Sequence, residues 1–138
     1  NRRMISEEES KAVDLKALAA FFASNVAKRM TEAARAGKLV REQQFVLGIP
    51  ALEIHGDAVG DELVLIQGMI DVYFEEDGEY VLLDYKTDRV DVSDGEEVLA
   101  RRYKAQLDYY ERAITQITGV KVKERIIYSF ALQKEIRL

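Results

Sequence analysis

Residues 65–88, LIQGMIDVYFEEDGEYVLLDYKTD, decide how this chain folds. Two apolar stretches flank EEDG (75–78), an acidic tetrapeptide ending in glycine, which is the chemistry of a hairpin turn. Before the turn, Leu63, Leu65 and Gln67 alternate with Val64 and Ile66, the period of two that marks a strand. That strand is expected over Glu62–Glu75. After the turn, Tyr80–Lys86 reads as its partner, apolar until it ends on Asp84 and Lys86. Residues i and i+2 of a strand point to the same side, so this carboxylate and this ammonium are neighbours by geometry. With the turn centred on 76–78, residues near 71 face residues near 83. The hairpin therefore sets Asp71 and Asp84 on adjacent strands, close enough to share one cation.

Working outward, SKAVDLKALAAFFASNVAKRMTEAARAGK (10–38) is rich in Ala, Leu, Lys and Glu and reads as helix ended by Gly37. Ser24 and Asn25 are natural N-caps, so two helices joined there are equally allowed. Leu15, Leu18, Ala19 and Phe22 mark one apolar face; Val26, Met30 and Ala33 mark another. Val40–Ile49 is a first strand ended by Pro50. DRVDVSDGEE (88–97) is loop-like. VLARRYKAQLDYYERAITQITG (98–119) is an amphipathic helix with Tyr103, Leu107, Tyr110, Ile114 and Ile117 on one stripe. Val122–Leu132 is a last strand. A helix separates strands three and four, so that crossover is expected to be parallel and right-handed. The fold expected is α/β, an αβββαβ arrangement on one mixed central sheet flanked by helices.

Composition narrows the function. With 138 residues and 48% apolar content the chain builds one core. Its apolar runs fall far short of the roughly 20 residues of a membrane span, and NRRMISEEES at the start is no signal peptide. There is no cysteine, which removes disulfides, zinc–thiolate sites and iron–sulfur clusters from this chain. A cytoplasmic location without membrane contact is the expectation. The first residue is not methionine, so a piece of a longer protein is expected. The net charge of −5 argues against a general nucleic-acid binder. Its distribution is uneven: residues 71–97 carry 11 acidic and 2 basic groups, and residues 98–138 carry 9 basic and 4 acidic. An acidic patch beside a basic segment suits a cation next to an anionic ligand; solvated faces are the plainer explanation.

Two carboxylates buried together cost several kcal/mol unless a positive group lies between them. Mg²⁺, with Mn²⁺ as a substitute, fits oxygen donors of this kind, and the main-chain carbonyl of Tyr85 adds a third. Lys86 reaches the same cleft as a point charge able to orient water or hold a phosphoryl oxygen. Taken alone, Asp84 and Lys86 are equally a surface ion pair. Glu42 approaches from the first strand, or is simply exposed. DRVDVSDGEE does not fit an EF-hand, because the residue five before Gly95 is Val90. No phosphate-binding loop is present.

Gly68-Met-Ile-Asp71, Asp84-Tyr-Lys-Thr87 and Gln106-Leu-Asp-Tyr-Tyr110, in that order and on those elements, resemble the GxxD, DYKT and QxxxY motifs of the RecB-like branch of the PD-(D/E)XK nucleases. Residues 65–88 are similar to the C-terminal nuclease domain of AddA (RexA) subunits of bacterial AddAB helicase-nucleases, and the likeness runs from about Asp14 to Leu132. The resemblance implies a restriction-endonuclease-like core and one RecB-like nuclease domain over residues 1–138. It implies Mg²⁺-dependent exonucleolytic hydrolysis of DNA single strands during double-strand-end processing, with an AddB/RexB-type partner subunit reached through the parent protein. Asp71 and Asp84 then hold metal, Lys86 assists the nucleophile, and Gln106 and Tyr110 support the site or touch the DNA backbone. Arg101, Arg102 and Lys104 are placed for phosphates. Two departures stand out. Ile70 replaces the family's proline, and the family's ligand histidine is missing. The only histidine, His55, lies between strands one and two, so the expected histidine would precede residue 1. The rival reading is a non-catalytic docking or DNA-binding module on the same fold. A junction-resolving or restriction-type enzyme is a third, which Gln106 and Tyr110 speak against.

Overall fold

The computed structural model describes residues 7–56 and 60–138. In chain order it comprises α1 (Glu7–Phe22), α2 (Asn25–Arg35), β1 (Leu39–Pro50), α3 (Ala51–Ile54), β2 (Leu63–Glu76), β3 (Glu79–Lys86), α4 (Gly95–Thr118), β4 (Val122–Ser129) and β5 (Lys134–Arg137). The strands form one mixed sheet in the order β1-β2-β3-β4-β5. Of its four pairings, β3 with β4 is the parallel one, across the connection that contains α4. The αβββαβ core read from the sequence is present, with a short helix and a fifth strand added. No helix among the described residues is long and apolar enough to cross a membrane.

The hairpin at the centre turns on Asp77 and Gly78, both with positive φ (56° and 80°), between the paired residues Glu76 and Glu79. That conformation matches the right-handed twist of the strands, and glycine adopts it without a Cβ penalty. Along β3 the side chains alternate between two cores. Val81 and Leu83 face α2 and the end of α1, in one cluster with Phe21 of α1, Val26, Met30 and Ala33 of α2, and Ile126 and Tyr128. Leu82 faces α4, among Leu99, Leu107, Tyr110 and Ile114. Continuing the alternation sends Asp84 and Lys86 toward α4.

Three sequence expectations are corrected. Of the two N-terminal alternatives the structure has the pair of helices: the chain breaks at Ser24, whose Oγ caps α2 by accepting from the Ala27 amide at 3.2 Å. Because α2 then takes the sheet, Leu15, Leu18 and Phe22 of α1 are exposed, and Phe21 is the residue buried edge-on against Tyr85 and Tyr128. The last strand stops at Ser129, where Ser129 Oγ accepts from the Leu132 amide and turns the chain into β5. On α4, Ile117 is half exposed because it lies past the edge of the buried stripe.

Candidate metal and phosphodiester site

β2 and β3 stop pairing at Val72 and Leu83. One step further the backbones part, and the Asp71 side chain fills the fork: its Oδ2 accepts the Tyr85 amide at 2.9 Å. A carboxylate here takes the place of a main-chain carbonyl, which fixes Asp71 relative to β3. On the other side of β2, the ladder with β1 omits the pair Glu42–Asp71. Glu42 adopts φ +52°, rare for a residue with a Cβ. The inward side changes at this point too, since Ile70 packs toward α4 and Val72 toward α2. Asp71 thus sits at a local irregularity in an otherwise regular strand.

Asp84 is 2% exposed. Its Oδ2 lies 2.7 Å from Lys86 Nζ, and among the described residues this oxygen makes no hydrogen bond. Burial pushes the Asp84 carboxyl up to about 7, against the pull of Lys86 and with a further push from the neighbouring Asp71. Lys86 Nζ also donates to Gln106 Oε1 at 2.8 Å. Tyr110 is buried one helical turn from Gln106, and its hydroxyl is raised to about 12, first by burial and then by Asp84 and Asp71. The structure therefore brings Asp71, Asp84, Lys86, Gln106 and Tyr110 into one cluster, with the Tyr85 backbone between the two carboxylates.

Gly68 explains how Tyr110 stays in place. A Cβ on Gly68 would stand 2.8 Å from the Phe45 ring and 3.5 Å from Tyr110. Phe45 meets Tyr110 edge-on at 5.6 Å between ring centres. Gly68→Ala must move Phe45 within a packed core, so we expect a loss of about 1–3 kcal/mol. Chemical denaturation checks it, and an unchanged midpoint would show that Phe45 swings aside freely.

Other sequence candidates are placed apart or engaged elsewhere. Glu42 is exposed and borders a cavity of about 410 Å³ with Asp71, Arg41 and Tyr85. Arg102 pairs with Asp88 at 2.7 Å, and Lys104 pairs with Asp108 at 2.9 Å; Arg101 is exposed. His55 ends α3, its amide donating to Ala51 O. The periodicity of α4 marks Tyr103 as part of the apolar stripe only, yet its ring lies 4.0 Å from Lys86 Nζ. The signal for this second role is its spacing, one turn before Gln106.

Among the described residues, no three His, Cys, Asp or Glu side chains gather into a metal-holding group. The two carboxylates of Asp71 and Asp84 flank the Tyr85 backbone at the fork. Both carry hard oxygen donors, and among the described residues the buried Asp84 carboxylate is offset by Lys86. That set suits a hard divalent cation whose remaining positions go to water or phosphate oxygens.

No family model matches the chain. Curated proteins do. The ATP-dependent helicase/nuclease A subunit of Lachnoclostridium phytofermentans is 43% identical over 171 residues, covering 100% of this chain and 12% of that protein. The corresponding A subunits of Clostridium perfringens strain SM101 and Clostridium botulinum strain Loch Maree are 39% and 40% identical, each covering 99% of this chain and 11% of the relative. The chain thus spans about a tenth of the length of these relatives. Near-complete coverage of the chain at such identity shows that it belongs to the family of ATP-dependent helicase/nuclease A subunits.

Proposed function

We propose that this chain is a divalent-metal-dependent DNA nuclease domain that hydrolyses phosphodiester bonds of single strands exposed at double-strand ends. The observation that carries the reading is the buried Asp84 carboxylate beside Asp71, offset among the described residues by Lys86. Asp71, Asp84 and the Tyr85 carbonyl would hold Mg²⁺ or Mn²⁺. When bound, the cation supplies Lewis-acid neutralisation of charge on the phosphoryl group.

The chain's own residues do the rest. Asp71 is aimed by its bond from the Tyr85 amide. Lys86 is held beside the carboxylates by Gln106, which places its charge for a phosphoryl oxygen or an attacking water. Tyr110 closes the apolar side with Phe45 and keeps bulk water from the buried carboxylate, which strengthens every charge interaction in the cleft. The parent is a longer helicase-nuclease working with a second subunit of the AddB/RexB type, in the cytoplasm.

A calorimetric Mn²⁺ titration of this chain beside its Asp84→Ala variant tests the assignment. We expect binding that is lost in the variant. Binding in both, or tolerance of asparagine at 71 and 84 in a cleavage assay, favours the docking module. If neither binds, repeating the titration on a chain extended upstream separates a site lacking a histidine ligand from a docking fold.

A further inference from the structure

Among the described residues Lys86 Nζ has three neighbours: Asp84 Oδ2 at 2.7 Å, Gln106 Oε1 at 2.8 Å and the Tyr103 ring, 4.0 Å from its centroid. Two of the three come from α4. An ammonium carries three N–H donors; Gln106 Oε1 takes one, and Asp84 Oδ2 is its ion-pair neighbour. The aromatic face accepts the positive charge where no oxygen is supplied, and 4.0 Å is well inside the range of such attraction.

Tyr103 is itself fixed. Its hydroxyl donates to Asp88 Oδ2 at 2.6 Å, and the same oxygen accepts from Arg102 Nη1 at 2.7 Å. Asp88 lies two residues beyond the end of β3, so this link ties the strand end carrying Lys86 to the helix carrying Gln106. Leu99 and Leu107, one turn to either side of Tyr103, are fully buried, whereas Tyr103 is only partly so. The ring stands at the rim of the core, where the lysine passes over it.

We propose that Tyr103 is a positioning residue that holds the Lys86 ammonium over the cleft, with Asp88 and Arg102 setting the plane of its ring. This rests on the reading of Lys86 as the functional ammonium. Its role grows when substrate or metal draws Asp84 away from Lys86. Gln106 and the ring are then the contacts that keep the ammonium in place, and neither carries a charge that competes with phosphate.

The test uses the 138-residue chain and two variants. In proton NMR spectra, the ε-methylene protons of Lys86 are expected upfield of the other lysines through the ring current. That shift should survive in Tyr103→Phe and vanish in Tyr103→Leu. In Mn²⁺-dependent cleavage of a single-stranded oligonucleotide, Tyr103→Leu should lose about tenfold in kcat with KM unchanged, and Tyr103→Phe should recover most of it. An unshifted Lys86 in the parent chain overturns the proposal. So do equal losses in both variants, which would assign the effect to the hydroxyl, or a change confined to KM, which would make Tyr103 a DNA contact. If the 138-residue chain cleaves nothing, the cleavage comparison is made on the chain extended upstream, where the nuclease reading stands or falls, while the Lys86 shift decides where the ring holds the ammonium.

Discussion

Lys86→Ala abolishes DNA cleavage, by roughly 10²–10³-fold, and leaves Mn²⁺ affinity nearly unchanged. Lysine is no ligand for a cation, so its removal should not empty the carboxylate site. Among the described residues it does remove the one cationic side chain in contact with Asp84. It also frees Gln106 Oε1 from its hydrogen bond, so the cleft loses an ordered pair of groups at the place where phosphoryl charge would develop. Paired calorimetry and single-turnover cleavage decide the matter. Parallel losses of binding and cleavage would show that Lys86 builds the metal site and does not act on substrate.

The second large effect is on stability, and its sign follows from Asp84. Burial raises its carboxyl from 3.8 to about 7. The folded chain therefore holds a proton through that range that the unfolded chain has released. Stability is then greatest below about pH 4 for this group, declines as the pH rises, and reaches its low plateau above about pH 7. The full span is on the order of 4 kcal/mol. In chelator, melting temperature should fall between about pH 5 and pH 8. Asp84→Asn should flatten the decline and melt higher at about pH 8, because Lys86 is less buried than Asp84 and keeps Gln106 and Tyr103. A variant that melts lower there would mean that the ion pair outweighs the burial of the carboxylate. Added Mn²⁺ should recover the parent chain at the same pH and leave the variant unmoved.

The hairpin and its cluster were legible because they depend on local spacing. Alternation before Asp71, a turn ending in Gly78 and the i, i+2 relation of Asp84 and Lys86 give a register that misses the observed one by a single position. The four-residue step from Gln106 to Tyr110 likewise puts both on one side of α4. The outer parts were less legible. α1 carries enough apolar residues for a buried stripe, but which of them turns inward depends on where α2 crosses the sheet. β5, with only Ile136 buried, has too few apolar residues for its pattern to register. The Glu42 backbone and the Tyr103–Lys86 contact arise between elements distant in sequence, where no period in one segment can announce them.

The parallel pairing of β3 with β4 also governs how the protein reaches its native state. The β2–β3 hairpin closes through a two-residue turn, an event of microseconds. β4 can join only after the chain from Lys86 to Val122 has looped over the sheet and α4 has packed, a contact of high sequence separation and correspondingly slow. The two carboxylates are thus neighbours while still in water, and the docking of α4 strips that water away. Refolding should accordingly quicken in mild acid, where burial of Asp84 during the closing step favours uptake of a proton.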